Sequence, residues 1–235
     1  VDREVIEKWL YVIVGLTFLS GILGTGHHYY YIGVNKIWLV VGGIFSALEP
    51  LAFLAMALFA MYMYRKGEKN HPNKIALFWT IGASIVSFIG AGLLGFAHTI
   101  PQTNIYTHGT LVTAMHGHYA FWGAYAMIVL AIISYALPNM TGRKRYNNVM
   151  GHTAFWLANI GMLGMTVAFG VAGVAQVYLE RKMKLEFMDV QNEISIHFVV
   201  LILAATMFTT GISMYIWEFV KYGRPTDEAL ISTEE

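Results

Sequence analysis

The sequence contains no cysteine. Disulfides, thiolate-ligated haem and cysteine-held iron–sulfur clusters are therefore excluded. Charge is scarce as well. Asp, Glu, Lys and Arg make up 12% of the chain, about half the share of an ordinary soluble domain. The formal net charge is +1, so no broad basic face offers itself to nucleic acid. The stretch from His98 to Thr110 has no charged residue at all. Strong internal repeats and low-complexity segments are also missing. With thiols gone, the nine histidines are the strongest metal ligands left.

What is abundant is apolar surface, at 57% of the 235 residues. A soluble core of this size does not need so much, whereas a chain sitting in lipid does. Six stretches are long enough to cross a bilayer, which takes roughly 20 residues. They cover residues 9–32, 37–64, 75–100, 111–137, 153–179 and 194–219. All six are expected to be helices, since lipid leaves the backbone no other partner unless a barrel closes. The runs are too long and alternate too poorly for barrel strands. The expected fold class is all-α, a polytopic membrane helix bundle with residues 1–235 as one transmembrane domain.

Loop charges suggest a direction. Arg65, Lys66, Lys69 and Lys74 follow the second span. Arg143, Lys144 and Arg145 follow the fourth, and Lys221 and Arg224 follow the sixth. With simple alternation all three groups fall on one side, which the positive-inside rule makes cytoplasmic. The fifth-to-sixth loop departs from this with Arg181, Lys182 and Lys184, beside Glu180, Glu186, Asp189 and Glu193. Both termini of the segment are expected to be cytoplasmic, with the uncharged loop outside. The chain starts at Val1, and Val1 to Lys8 has no signal-peptide pattern. It is therefore expected to be part of a longer or processed polypeptide.

The histidines can now be placed by depth. His27 and His28 lie near the outer end of the first span, and His116 and His118 near the outer start of the fourth. Both pairs thus sit at a similar level. On a helix, residues two apart differ by a rotation of about 200° and a rise of about 3 Å. His116 and His118 then point to nearly opposite faces and can ligate two different metals. Gly117 between them allows something bulky and flat to approach. The bland alternative is hydrogen bonding to neighbouring helices. His27 and His28 differ by about 100° on an α-helix, and their imidazoles can converge on one small ion. The glycines around them allow close helix packing, and Tyr29, Tyr30 and Tyr31 suit a membrane interface.

Glu49 stands in the middle of the second span, followed by Pro50. A carboxyl in an apolar span is a functional candidate. It reads as a proton carrier or a metal-neighbouring acid, with a neutral acid bonded to a neighbour as the bland alternative. Pro50 is expected to bend the helix. His98 and His108 flank the outer loop and could meet haem carboxylates. His71 and His152 read as solvated, and His197 as an interfacial hydrogen bonder.

Gly24-Thr25-Gly26-His27-His28-Tyr29-Tyr30, Leu48-Glu49-Pro50, Tyr106-Thr107-His108-Gly109 and His116-Gly117-His118 together resemble one family. It is the catalytic subunit family of bacterial cytochrome c-dependent nitric oxide reductases, within the haem–copper oxidase superfamily. The resemblance runs over essentially the whole chain and corresponds to the C-terminal six of twelve helices. It implies two haem b groups and a non-haem iron. His116 would be the axial ligand of the high-spin haem and His118 an axial ligand of the low-spin haem. His27 and His28 would hold the non-haem iron, and Glu49 would be the acid beside it. His108 is a possible haem propionate contact.

The reaction implied is reduction of nitric oxide to nitrous oxide in the bacterial inner membrane. The active site would lie toward the periplasm, and electrons would come from a membrane-anchored cytochrome c subunit. A third histidine, a second glutamate and the other low-spin haem ligand would lie on earlier helices. The N-terminal half of the same subunit is therefore an expected partner, with nitric oxide and the lipid bilayer. Three other readings stay open at this point. They are an oxygen-reducing oxidase with copper beside the haem, a non-catalytic di-haem b carrier, and a transporter or channel with buried histidines.

Overall fold

The computed structural model describes residues 3–67, 73–142 and 147–222. Lys69, His71, Arg143, Lys144, Arg145 and Arg224 lie outside the described residues. No strand occurs among those described. Six long helices are apolar enough to cross a membrane. They are α1 (Arg3–Tyr29), α2 (Lys36–Lys66), α3 (Lys74–Thr99), α5 (Leu111–Met140), α6 (Asn148–Lys182) and α8 (Ser195–Lys221). Two short helices join them on one side, α4 (Pro101–Thr107) and α7 (Phe187–Glu193).

Helix ends depart from the apolar runs for local reasons. α1 starts earlier than its run, because Arg3–Glu7 (2.8 Å) and Lys8–Glu4 (2.7 Å) link successive turns of its charged beginning. It also stops earlier, since Tyr30 leaves helical geometry and Tyr31 has φ 73. α6 begins at Asn148, where the Asn147 side chain accepts from the amides of Val149 and Met150. Asn35 and Asn73 cap α2 and α3 in the same way.

The tightest packing is at the centre of α3, α5, α6 and α8. Trp79 is fully buried there and meets Phe155 at 5.0 Å, Tyr215 at 5.7 Å and Trp122 at 6.0 Å, all edge-on. α8 runs against α6, with Gly161 on the backbone of Phe208 and Gly211 on that of Ala158. The outward faces are apolar. Val174, Ile202 and Leu203 leave 66%, 65% and 67% of their surface uncovered. Such faces suit hydrocarbon or further protein, and the chain is a multi-pass membrane protein.

Candidate metal centre

Departures from α winding shape the region around the histidines. α1 winds as a π-helix over Leu19–Leu23 and then tightens to a 3-10 turn over Thr25–Tyr29. His27 and His28 therefore sit on a tighter turn than the α-helix assumed for them, with about 120° between them. Their rings lie side by side all the same, with centroids 4.0 Å apart. α2 is interrupted. Its first part ends at Ser46, and its second starts at Glu49 with Pro50 in the first turn. The bend expected at Pro50 is thus a break just before it, where proline's missing amide costs nothing. Glu49 gains the positive end of a new helix. α3 winds as a π-helix over Phe88–Leu94, and α5 over Trp122–Ala126, just beyond His118.

These elements enclose a cavity of about 550 Å³ whose lining includes His27, His28, Glu49, His98, His108 and His116. A Cβ placed on Gly95 would stand 3.2 Å from His116 Cε1 and 3.6 Å from Glu49 Oε2. Acid and imidazole therefore close on the same glycine. His27 lies within electrostatic reach of both His28 and His116.

His116 and His118 turn to different neighbours. The Nδ1 of His116 donates to the Gly90 carbonyl of α3 at 2.9 Å. His118 lays its ring against Phe169 of α6 at 4.8 Å and is not part of the cavity wall. Gly90 makes the first contact possible. A Cβ there would stand 2.7 Å from the backbone of Tyr119 and Ala120, so α3 and α5 touch main chain to main chain.

His27, His116 and His118 each bring Nδ1 to a backbone carbonyl, as His98, His152 and His197 also do. His27 Nδ1 bonds the Gly24 carbonyl at 2.8 Å, and His118 Nδ1 bonds the Ala114 carbonyl at 2.9 Å. A carbonyl only accepts, so His27, His116 and His118 each carry a proton on Nδ1. Each presents Nε2 as a lone pair. That is the arrangement a metal-ligating histidine needs, with the rear nitrogen tied to a carbonyl. Gly117 opens on space, with nothing within 4 Å of a Cβ built on it. A flat macrocycle can reach the backbone there. The donor set and this gap fit haem on both faces of α5. Among the described residues no group of three or more His, Asp or Glu side chains is arranged to hold a metal ion. The two adjacent rings of His27 and His28 are the nearest approach of imidazoles to one another on the cavity wall.

Two features of the site are not legible in the sequence. His98 is buried, its ring stacked on His116 at 5.0 Å, with Nδ1 on the Leu94 carbonyl at 2.8 Å. Its Nε2, like Asn104 Oδ1, is a buried polar atom without a hydrogen-bond partner. The sequence marks His98 as one of two histidines flanking the uncharged loop that could meet haem carboxylates, and gives no sign of its stacking on His116. Arg181 is the second. Its guanidinium donates to the His108 carbonyl at 3.3 Å, so the end of α6 holds the connection between α4 and α5. His108 itself is exposed, with its ring 4.6 Å from that of Tyr31.

The remaining histidines stay apart from the cavity. His152 contacts the Asn148 carbonyl, and His197 bonds the Ile194 carbonyl at 3.1 Å. A second buried acid, Glu218 of α8, also escapes sequence reading. It lies far along the chain from the site, against the first turn of α6 near Asn147 and Gly151.

Comparison with known proteins bears on the family. The family profile described as "Cytochrome C and Quinol oxidase polypeptide I" matches residues 1–207. A curated relative, a nitric oxide reductase subunit of Stutzerimonas stutzeri, is 46% identical over 235 residues. That alignment takes in 95% of this chain and 49% of the relative. The chain thus spans about half the length of the curated relative it matches. Its histidine pairs, its six apolar helices and the profile match over most of its length lead to one assignment: the chain belongs to the cytochrome c and quinol oxidase polypeptide I family.

Proposed function

We propose that this chain is the C-terminal half of a catalytic subunit that reduces nitric oxide to nitrous oxide. Two nitric oxide molecules, two electrons and two protons give one nitrous oxide and one water. The observation that carries the reading is the convergence of His27, His28, Glu49 and His116 on one cavity. The name of the 46% identical relative supports it over oxygen reduction.

In this reading His116 Nε2 ligates a high-spin haem b and His118 Nε2 a low-spin haem b on the other face of α5. His27 and His28 hold a non-haem iron. When bound, such an iron and haem would supply the redox chemistry for coupling nitric oxide, with His27, His28 and His116 as the residues that would hold them. The protein's own part is to orient and to deliver protons. The Gly90 carbonyl fixes the ring of His116. Glu49, at the head of the second half of α2 and beside His116 across Gly95, is the proton donor into the cavity. His108, on the cavity wall, contacts a haem propionate.

The partners are the N-terminal half of the subunit, which supplies the remaining ligands, and a membrane-anchored cytochrome c subunit. The setting is the bacterial inner membrane, with the cavity toward the periplasm and both ends of this segment in the cytoplasm.

The test is nitric oxide consumption by the purified intact complex with elemental analysis. Stoichiometric non-haem iron and turnover to nitrous oxide are expected. Stoichiometric copper would defeat the iron assignment. Protons enter from the periplasmic side, since α2 carries no acid besides Glu49 to lead them inward; a membrane potential generated in proteoliposomes during turnover would defeat this.

A further inference from the structure

Ser46 is fully buried in α2, and the chemistry described so far gives it no part. Hydroxyls inside these helices usually bond the carbonyl four residues back, as Thr80 does to Ala76, Thr153 to Val149 and Thr166 to Met162. Ser46 does not. Its hydroxyl leaves its own helix and donates to the Gly24 carbonyl of α1 at 3.0 Å. The same Oγ contacts His27 Nδ1, which lies 2.8 Å from that carbonyl.

Three polar atoms thus meet in a closed triangle, and their protons can be assigned. The carbonyl has none. The single Ser46 proton points at Gly24 O. A lone pair on His27 Nδ1 would then face oxygen lone pairs on two sides. Nδ1 therefore bears a proton shared between the two oxygens, and the lone pair is on Nε2. We propose that Ser46 is a positioning residue for His27. Its hydroxyl fixes the Nδ1-protonated tautomer and the rotation of the ring, so that Nε2 is held toward the small-ion site.

The local backbone is built for this contact. A Cβ on Gly24 would stand 2.9 Å from Ser46 Oγ and 3.2 Å from Ser46 N, so only glycine lets α2 come this close. Directly after Ser46 the helix breaks and restarts at Glu49. One short segment therefore supplies a hydroxyl behind the ligand and an acid to the cavity. A gap of 19 residues separates His27 from Ser46, and no spacing rule links them. Partners of this kind behind a ligating histidine typically change metal affinity by about 10–100-fold.

The inference rests on His27 being a metal ligand, and the test separates the two ideas. Ser46→Ala, Ser46→Thr and His27→Ala are made in the full-length subunit and purified as the intact complex. Non-haem iron per haem is measured, with the rate at which a chelator removes it. Ser46→Ala is expected to keep both haems and to bind iron about 10–100-fold more weakly. Ser46→Thr, which retains the hydroxyl, is expected to restore iron retention, and His27→Ala to lose iron.

Wild-type iron retention in Ser46→Ala, with iron lost in His27→Ala, overturns the positioning role and leaves the metal reading intact. Full iron in His27→Ala overturns the metal reading and the inference with it. If Ser46→Ala does not assemble, Ser46→Cys fills the same place with a poor hydrogen-bonding group. It is then expected to lose iron at constant haem, and unchanged iron retention in it overturns the proposal.

Discussion

The two histidine pairs differ in what their spacing does. His27 and His28 are adjacent on a 3-10 turn, and their rings stand 4.0 Å apart. His116 and His118 are two apart on α5, and one reaches Gly90 of α3 while the other lies on Phe169 of α6. Adjacent residues converge because imidazole is long relative to the turn. Alternate residues diverge because about 200° of rotation separates them. One pair suits a shared small ion, and the other suits two separate large groups. The Nδ1 of His116 and of His118 goes to a carbonyl, as does that of His27, so these three share a tautomer while the two pairs differ in direction.

The largest test of this contrast is to remove the members of the divergent pair one at a time. His116→Ala is expected to lose the high-spin haem and keep the low-spin one, and His118→Ala the reverse. Haem quantification with absorption spectra reads this directly. Loss of both haems from either variant, in an assembled complex, would break the division.

Glu49→Gln probes the convergent side. The substitution preserves shape, so both haems and the iron should be retained. Nitric oxide turnover should fall by about 10²–10⁴-fold, the usual worth of a positioned proton donor. An unchanged rate would remove Glu49 from the chemistry.

Two glycines give smaller and opposite effects. Gly90→Ala drives a methyl into the backbone of α5 at 2.7 Å. A cost of about 1–3 kcal/mol is expected, seen as a lower unfolding temperature, with weakened binding at His116. Gly117→Ala meets nothing within 4 Å of this chain. The helix should gain up to about 1 kcal/mol from the better helix former. Haem content should drop only if a flat group sits against that face, and unchanged haem with higher stability would show that it does not.

Much of this is legible in the sequence. Apolar runs reveal six helices because a bilayer demands length and low charge, and those demands survive without any tertiary contact. The opposed faces of His116 and His118 follow from helix geometry alone. What the sequence hides is not periodic. Arg3 joins α1 through charge pairs that a hydropathy run cannot include. His98 lies near the end of the third apolar run, and nothing along the chain shows that folding stacks it on His116. The π turns of α3 and α5 have no composition of their own.

The sequence by itself thus determined the class of molecule, its six apolar helices and the way each histidine pair converges or diverges. Those properties depend on solvent and on the repeat of a single helix. Only the tertiary structure decided which backbone carbonyls hold those histidines. Gly90 to His116, and Ser46 with Gly24 to His27, join residues on different helices. Such contacts depend on how closely two helices approach, and no spacing along one chain encodes that distance.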